Sequence, residues 1–298
     1  MTNGPGTRPR NCWAGNASLA AHEHQPLAAP PLLGDVGLPP LPGGADQALW
    51  PALLTLAERL PVDHAVIGGI MVYLHGTVAG RAPARVTSDV DVLCDVEVMP
   101  SSLRDTVAVL TELGYRIDPA SPLESSHRYL GPGGEQVDVL APAKVRPPPD
   151  LITTPPGRTI EVPGGKPALR HRVVIRASYE GRTGHLVVPD LARALMLKAA
   201  AYAEQHRKSP AKAFHSKHLQ DITFLVSLID DLDQVLADLG TAPPDGHLAL
   251  AAVLDDTGHH AWTAAGDASE DARLVWDALR HSDTVLPKQL GKRPHQRA

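Results

Sequence analysis

Two aspartates, Asp89 and Asp91, stand one residue apart in TSDVDVLCD, among valines and a leucine. A run of this composition reads as a short strand, and in a strand residues i and i+2 point to the same face. Both carboxylates are therefore aimed at one small spot, where like charges repel and an unpartnered carboxylate is costly to bury. The residues alone leave two readings open. Either a cation sits between them, or Ser88 and Asp89 cap a turn and Asp91 faces solvent. A hard cation such as Mg²⁺ takes oxygen ligands and commonly combines one or two carboxylates with substrate phosphates.

A glycine pair, Gly68-Gly69, lies about twenty residues upstream, between an apolar strand (HAVI) and a helical pattern (IMVYLHGTVAG). The free N–H groups and positive dipole end of a helix that opens on glycines form an anion site suited to phosphate. Asp138, in EQVDVLAP, is a third carboxylate on an apolar strand. On a neighbouring strand it would complete a metal site or act as a general base; the plain alternative is a hydrogen-bonded edge carboxylate. Asp95 shares the parity of the pair but stands at the strand end, where a structural role is expected. His215 and His218 have an i, i+3 spacing that zinc can use, but neither a fourth ligand nor a cysteine accompanies them.

The elements that must position these groups follow from composition. Residues 1–45 are rich in Gly, Pro and Ala, and PPLLGDVGLPPLPGG reads as neither helix nor strand, so a flexible arm is expected. ADQALWPALLTLAERL reads as a helix with Leu49, Leu53, Leu54 and Leu60 on its apolar face and Pro51 near its first turn. The helix SSLRDTVAVLTELGY has Ser101 or Ser102 as its N-cap. SSHRYL and EQVDVLAP flank Gly-Pro-Gly-Gly as a hairpin. Residues 141–171, dense in proline, read as a surface excursion, and RVVIRASY and HLVVP as strands. From Pro189 the pattern is helical. The domain expectation is an arm (1–45), a mixed α/β core (46–188), a helical C-terminal domain (189–285) and a basic tail (286–298).

Bulk composition narrows the classes. The chain has 298 residues and 43% hydrophobic residues, enough for a substantial core. The 4% aromatic content argues against stacking platforms for single-stranded nucleic acid, and the net charge of −5 excludes a globally basic nucleic-acid coat while leaving room for a local basic patch. Arg207, Lys208, Lys212 and Lys217 supply such a patch, for an incoming nucleotide or a polyanionic acceptor. Two cysteines in unlike settings, Cys12 and Cys94, argue against a disulfide framework. No apolar run reaches the roughly 20 residues of a membrane span, so a cytoplasmic protein without membrane contact is expected.

GGIMVYLHGTVAGRAPARVTSDVDVL resembles the core signature of the nucleotidyltransferase fold, in which a Gly-Gly or Gly-Ser turn precedes a helix and an Asp-x-Asp strand binds metal. The sequence of a glycine pair, then LHG, then RVTSDVD is most similar to the AbiEii-type nucleotidyltransferases, the toxin halves of type IV toxin–antitoxin systems. The later motifs PDLARALMLK, giving Lys198, and KHLQD, giving Lys217 and Asp221, match that family's helical half. The resemblance covers roughly residues 60–240. It implies a mixed β-sheet core with flanking helices, followed by a helical half.

The same resemblance implies roles. Asp89 and Asp91 would hold Mg²⁺ (or Mn²⁺), with Gly68, Gly69, Arg85, Lys198 and Lys217 on the nucleotide. Asp138, Lys198 and Asp221 would join the two aspartates in the catalytic set. Arg81 competes with Arg85 for the phosphate contact. The implied reaction moves a nucleoside monophosphate from an NTP to an acceptor hydroxyl, with RNA such as a tRNA 3′ end as acceptor and an antitoxin encoded nearby as partner. A monomer is favoured. Two departures stand out: Gly69-Ile70 replaces the family's serine after glycine, and His218 replaces a common aspartate. The alternatives are an aminoglycoside- or lincosamide-type antibiotic nucleotidyltransferase and a nucleotide-binding relative without catalysis.

Overall fold

The first sheet carries the Asp-x-Asp strand and has the strand order β2–β3–β6–β5–β4. Its members are β2 (His64–Ile67), β3 (Asp89–Cys94), β4 (Arg116–Ile117), β5 (Arg128–Leu130) and β6 (Gln136–Pro142), with β9 (Glu161–Val162) pairing β6 off this path. β3 runs antiparallel to β2 and parallel to β6, and β5 pairs antiparallel with β6 as the expected hairpin. The computed structural model describes residues 29–281, except positions 62, 84, 86, 123–124, 240–247 and 249–250. Most of the expected arm and the basic tail lie outside these residues. The chain is a mixed α/β protein, with strands and helices interleaved up to Pro189 and helices beyond it.

Valine-rich β3 is the inner strand that positions the site. Val90, Val92 and Leu93 are fully buried, while Asp89 and Asp91 alternate with them in partly buried positions. α2 (Gly68–Val78) follows β2 directly, and every residue from Ile70 to Gly76 is buried. α3 (Ser102–Glu112) covers the sheet through Leu103, Thr106 and Leu110. The expected serine cap is not formed: Ser101 occupies the cap position, but its Oγ donates to Asp105 Oδ2 at 2.8 Å instead of bonding the backbone.

A second sheet is ordered β1–β10–β11, from β1 (Leu32–Gly37), β10 (Arg172–Tyr179) and β11 (Arg182–Pro189). β1 corrects the expectation of a structureless stretch before residue 45. It pairs parallel with β10, Val36 is buried, and Asp35 forms an ion pair with Arg176. The prolines bracket the strand and leave its own N–H groups free, so LLGDVG can join a ladder. Leu38 and Leu41 are also buried, and Trp50 Nε1 donates to the Pro39 carbonyl at 2.8 Å.

α1 (Asp46–Arg59) begins at Asp46, so Pro51 lies in its second turn and not its first. Burial of Leu49, Trp50, Leu53, Leu54 and Leu56 holds the helix. Each such side chain contributes about 1.5–3 kcal/mol, comparable to the penalty of an interior proline.

Residues 141–171 are also more ordered than their prolines suggest. They form β7 (Ile152–Thr154), β8 (Gly157–Arg158), β9 (Glu161–Val162) and α4 (Gly165–Arg170), and bury Leu151, Thr153, Thr159, Ala168 and Leu169. Most of the prolines stand between the short pieces, while Pro142 closes β6 and Pro167 lies in the first turn of α4.

The helical part comprises α5 (Leu191–Lys208), α6 (Pro210–Ala213), α7 (Lys217–Val226), α8 (Leu232–Leu239) and α9 (Ser269–Arg280), with 3-10 turns at Ala251–Asp255 and His260–Ala268. Asp190 caps α5 by accepting from Arg193 N at 2.8 Å, and Ser216 caps α7 by accepting from His218 N at 3.2 Å. One contiguous apolar core runs from Val36 to Leu279. No described helix is long and apolar enough to cross a membrane.

Candidate active site

Strand register brings the three predicted carboxylates together. Asp91 stands opposite Ile67 of β2 on one side and opposite Asp138 of β6 on the other. Asp89 lies two residues earlier on the same face of β3. Burial pushes the Asp91 carboxyl up to about 6, and the neighbouring charges of Asp138 and Asp89 add to this while Lys198 and Lys217 oppose it. Asp89 accepts from Ser88 Oγ at 3.1 Å. Asp95, in contrast, is structural: its Oδ1 accepts from the backbone N–H groups of Glu97 and Val98, both at 3.1 Å.

Asp138 is not a free base in this arrangement. Arg128 of β5 grips both its oxygens, each at 3.0 Å, and Gln136 Nε2 reaches Oδ1 at 3.3 Å. Arg128 was not among the residues singled out in the sequence. The signal was present in the hairpin, whose register sets Arg128 directly across from Asp138.

The glycine turn fits tightly against β3. Gly68 has φ +71°, and a Cβ built on it would lie 1.7 Å from Asp91 Oδ2. A Cβ on Gly69 would lie 2.6 Å from Thr87 Cγ2. Only glycine can thus start α2 here, in a left-handed conformation and in direct contact with the carboxylate. The first amides of α2 receive no side-chain cap. A helix N-terminus and the Asp-x-Asp pair therefore share one location.

The helical part adds a second charged cluster. Lys198 of α5 and Asp221 of α7 are both buried, with Lys198 Nζ 2.8 Å from Asp221 Oδ2. Arg85 reaches the same carboxylate, Nε to Oδ1 at 3.1 Å and Nη2 to Oδ2 at 2.8 Å. Burial pulls the Lys198 ammonium below its ordinary range, opposed by Asp221 and by Asp91. Burial also pushes Asp221 up, but Lys198 and Arg85 outweigh it and hold the carboxyl below its usual value. Lys198 does not snorkel; it joins the cluster that faces Asp91.

Lys217 is exposed at the first position of α7 and does not pair with Asp221, although its charge acts on Asp91. The i, i+4 spacing of these two residues is therefore not an ion pair. His218 is pulled down to about 4 by burial, with Lys198 adding to this and Asp221 opposing it, and its Nδ1 is buried without a hydrogen-bond partner. His215 points elsewhere, against the rings of Phe214 and His260. The two histidines do not converge as a zinc pair would.

Arg81 and Arg85 are separated by the structure. Arg81 donates to Ser227 O at 2.7 Å, Ser227 Oγ at 2.8 Å and Ala265 O at 2.6 Å, tying α2 to the helical part. Only Arg85 of the two belongs to the charged cluster.

Among the described residues, no group of three or more His, Cys, Asp or Glu side chains is arranged to hold a metal ion. The donors that fit a hard cation are Asp89 and Asp91, and with two carboxylates the remaining positions fall to water and phosphate oxygens, the mode suited to Mg²⁺.

A scan against protein-family models finds no match, and a search of curated proteins finds none. Among solved structures, the chain is similar to an antigenic nucleotidyltransferase-like protein from Paracoccidioides brasiliensis, at 19% identity and a TM-score of 0.37, over 69% of this chain and 93% of that one.

Proposed function

We propose that the protein is a nucleotidyltransferase dependent on Mg²⁺ or Mn²⁺, which moves a nucleoside monophosphate from an NTP to an acceptor hydroxyl. The observation that carries this reading is the contact between Gly68 and Asp91. It joins an uncapped helix N-terminus, which favours phosphate, to the carboxylate pair that favours a cation. Lys198, Arg85 and Lys217 surround the same place with positive charge.

In the proposed reaction the acceptor oxygen attacks the α-phosphorus in line, the bond from that phosphorus to the β-bridging oxygen breaks, and pyrophosphate leaves. The α2 amides and Lys217 bind the phosphates. Lys198, held by Asp221, offsets charge that builds on the leaving group. Asp138, once released by Arg128, is the candidate to take the acceptor's proton. A divalent cation bound at Asp89 and Asp91 would supply Lewis-acid stabilisation of the phosphoryl oxygens.

The resemblance to AbiEii-type toxins supports RNA, and in particular a tRNA 3′ end, as the acceptor, and a cognate antitoxin as a protein partner. A nucleotide-binding relative without catalysis is the second reading, favoured by the grip of Arg128 on Asp138. Incubation with each labelled NTP, Mg²⁺ and total tRNA tests both. Label transfer that disappears in Asp89→Ala/Asp91→Ala supports catalysis. Transfer that persists in the double variant sinks the assigned site, and NTP binding without pyrophosphate release favours the second reading.

A further inference from the structure

The link between α6 and α7 presents aromatic rings to solvent on a rigid base. Phe214 is 46% exposed, although the chain has only two phenylalanines and the other, Phe224, is buried. His215 is exposed beside it, while Ala213 and Ser216 on either side are fully buried. Ser216 Oγ is further bonded to Gln205 of α5, and His215 N donates to Lys212 O at 3.3 Å. Two outward rings thus sit between two inward anchors.

Across from this link, the 3-10 turn at His260–Ala268 brings up His259 and His260. The ring of Phe214 meets His259 edge-on at 4.6 Å and His215 edge-on at 5.0 Å, and His260 lies 5.0 Å from His215. The result is a tight group of four rings, partly open to solvent. Its surroundings are basic on the side of the α6–α7 link, whereas Asp256 stands beside His259 on the facing loop. Between Glu204 and Asp221 the sequence contains no acid, and Lys212 and Lys217 are both exposed. Lys217, three residues beyond Phe214, is with Lys198 one of two lysines whose charges act on Asp91.

Exposed rings flanked by cations, held rigid just before the helix that carries Asp221, match the requirements of single-stranded nucleic acid. An unpaired base needs a π surface to stack on, and its backbone needs positive charge. We propose that Phe214, with His215 and His260, is a stacking platform for an unpaired base near the reactive end of an RNA acceptor, with Lys212 on a flanking phosphate. This rests on the reading of RNA as acceptor and gives that acceptor a single-stranded end.

The test is binding of a short labelled single-stranded oligoribonucleotide, and of a blunt duplex of the same sequence, to the full chain by fluorescence anisotropy. Phe214→Ala is expected to weaken single-strand binding roughly tenfold or more, with a much smaller effect on the duplex, and Phe214→Trp is expected to restore it. Circular dichroism melts confirm that each variant folds. In the transfer assay the same loss appears as a raised KM for RNA more than a lowered kcat. Equal single-strand affinity for Phe214→Ala and the parent overturns the platform and leaves the patch to a protein partner, as does a parent that does not bind single strands. A parent that binds RNA through Phe214 yet transfers no nucleotide supports the platform and sinks the transfer reading alone.

Discussion

Lys198 Nζ lies 2.8 Å from Asp221 Oδ2 in a buried pair, and Arg85 holds the same carboxylate from the other side. One acid thus answers for two cations. Asp221→Ala leaves both without a partner, whereas Lys198→Met leaves Asp221 with Arg85. Removing one side of a buried pair costs about 3–5 kcal/mol, and we expect Asp221→Ala to reach that range with Lys198→Met clearly below it. Urea unfolding of the two variants decides the order. The reverse order would mean that Asp221 is not the hub.

Gly68→Ala puts a methyl group into the space of Asp91 Oδ2 and forces a side chain onto a left-handed residue. The backbone strain alone costs about 1–3 kcal/mol, and the displaced carboxylate adds a functional loss. The expected outcome is a lower melting temperature together with nucleotide transfer reduced by more than tenfold. Full transfer activity in Gly68→Ala would contradict the contact.

Arg81 and Arg85 separate stability from nucleotide handling. Arg81 makes three hydrogen bonds to Ser227 and Ala265 and lies over the Phe224 ring. Arg81→Ala should cost on the order of 3 kcal/mol and leave the KM for NTP within about twofold, a change worth less than 1 kcal/mol. Arg85→Ala, at the charged cluster, should raise that KM with a smaller change in stability. Paired denaturation and kinetic measurements test the contrast.

His75 gives the fold an acid limit. It is buried on α2, its Nε2 donates to the Pro189 carbonyl at 2.9 Å, and burial lowers its pKa to about 4. The unfolded imidazole takes a proton near pH 6.5, so below that the unfolded state binds more protons than the folded one. Stability is full above about pH 6.5, falls as the pH drops toward about 4, and levels off below; the loss is on the order of 3 kcal/mol. His75→Gln keeps a donor for Pro189 and should flatten part of this slope in denaturation curves taken across that range. His218, also held down to about 4, accounts for a further part.

The carboxylates were legible in the sequence because strand parity is local: Asp89 and Asp91 must share a face wherever the strand lies. The glycine pair was legible for a related reason, since strand, glycines and helix follow one another directly. What was hidden depends on partners far along the chain. Arg128 required the register of a hairpin, and the shared grip of Arg85 and Lys198 on Asp221 required the packing of α5 against α7. β1 was hidden by its flanking prolines, which obscure a proline-free run long enough to pair. Local composition reports what a segment resists; it does not report which neighbour will accept it.

The pairing of β1 with β10 also has a temporal side. Ser178 Oγ bonds the Val36 carbonyl across 142 positions of sequence, and β10 is the only neighbour of β1 in its sheet among the described residues. At about 5–20 residues per second, a ribosome needs on the order of 10–30 s between making the two strands. Through that interval LLGDVG emerges with its ladder groups unclaimed and Val36 uncovered. The β1–β10–β11 sheet is therefore finished only after β10 and β11 have been made.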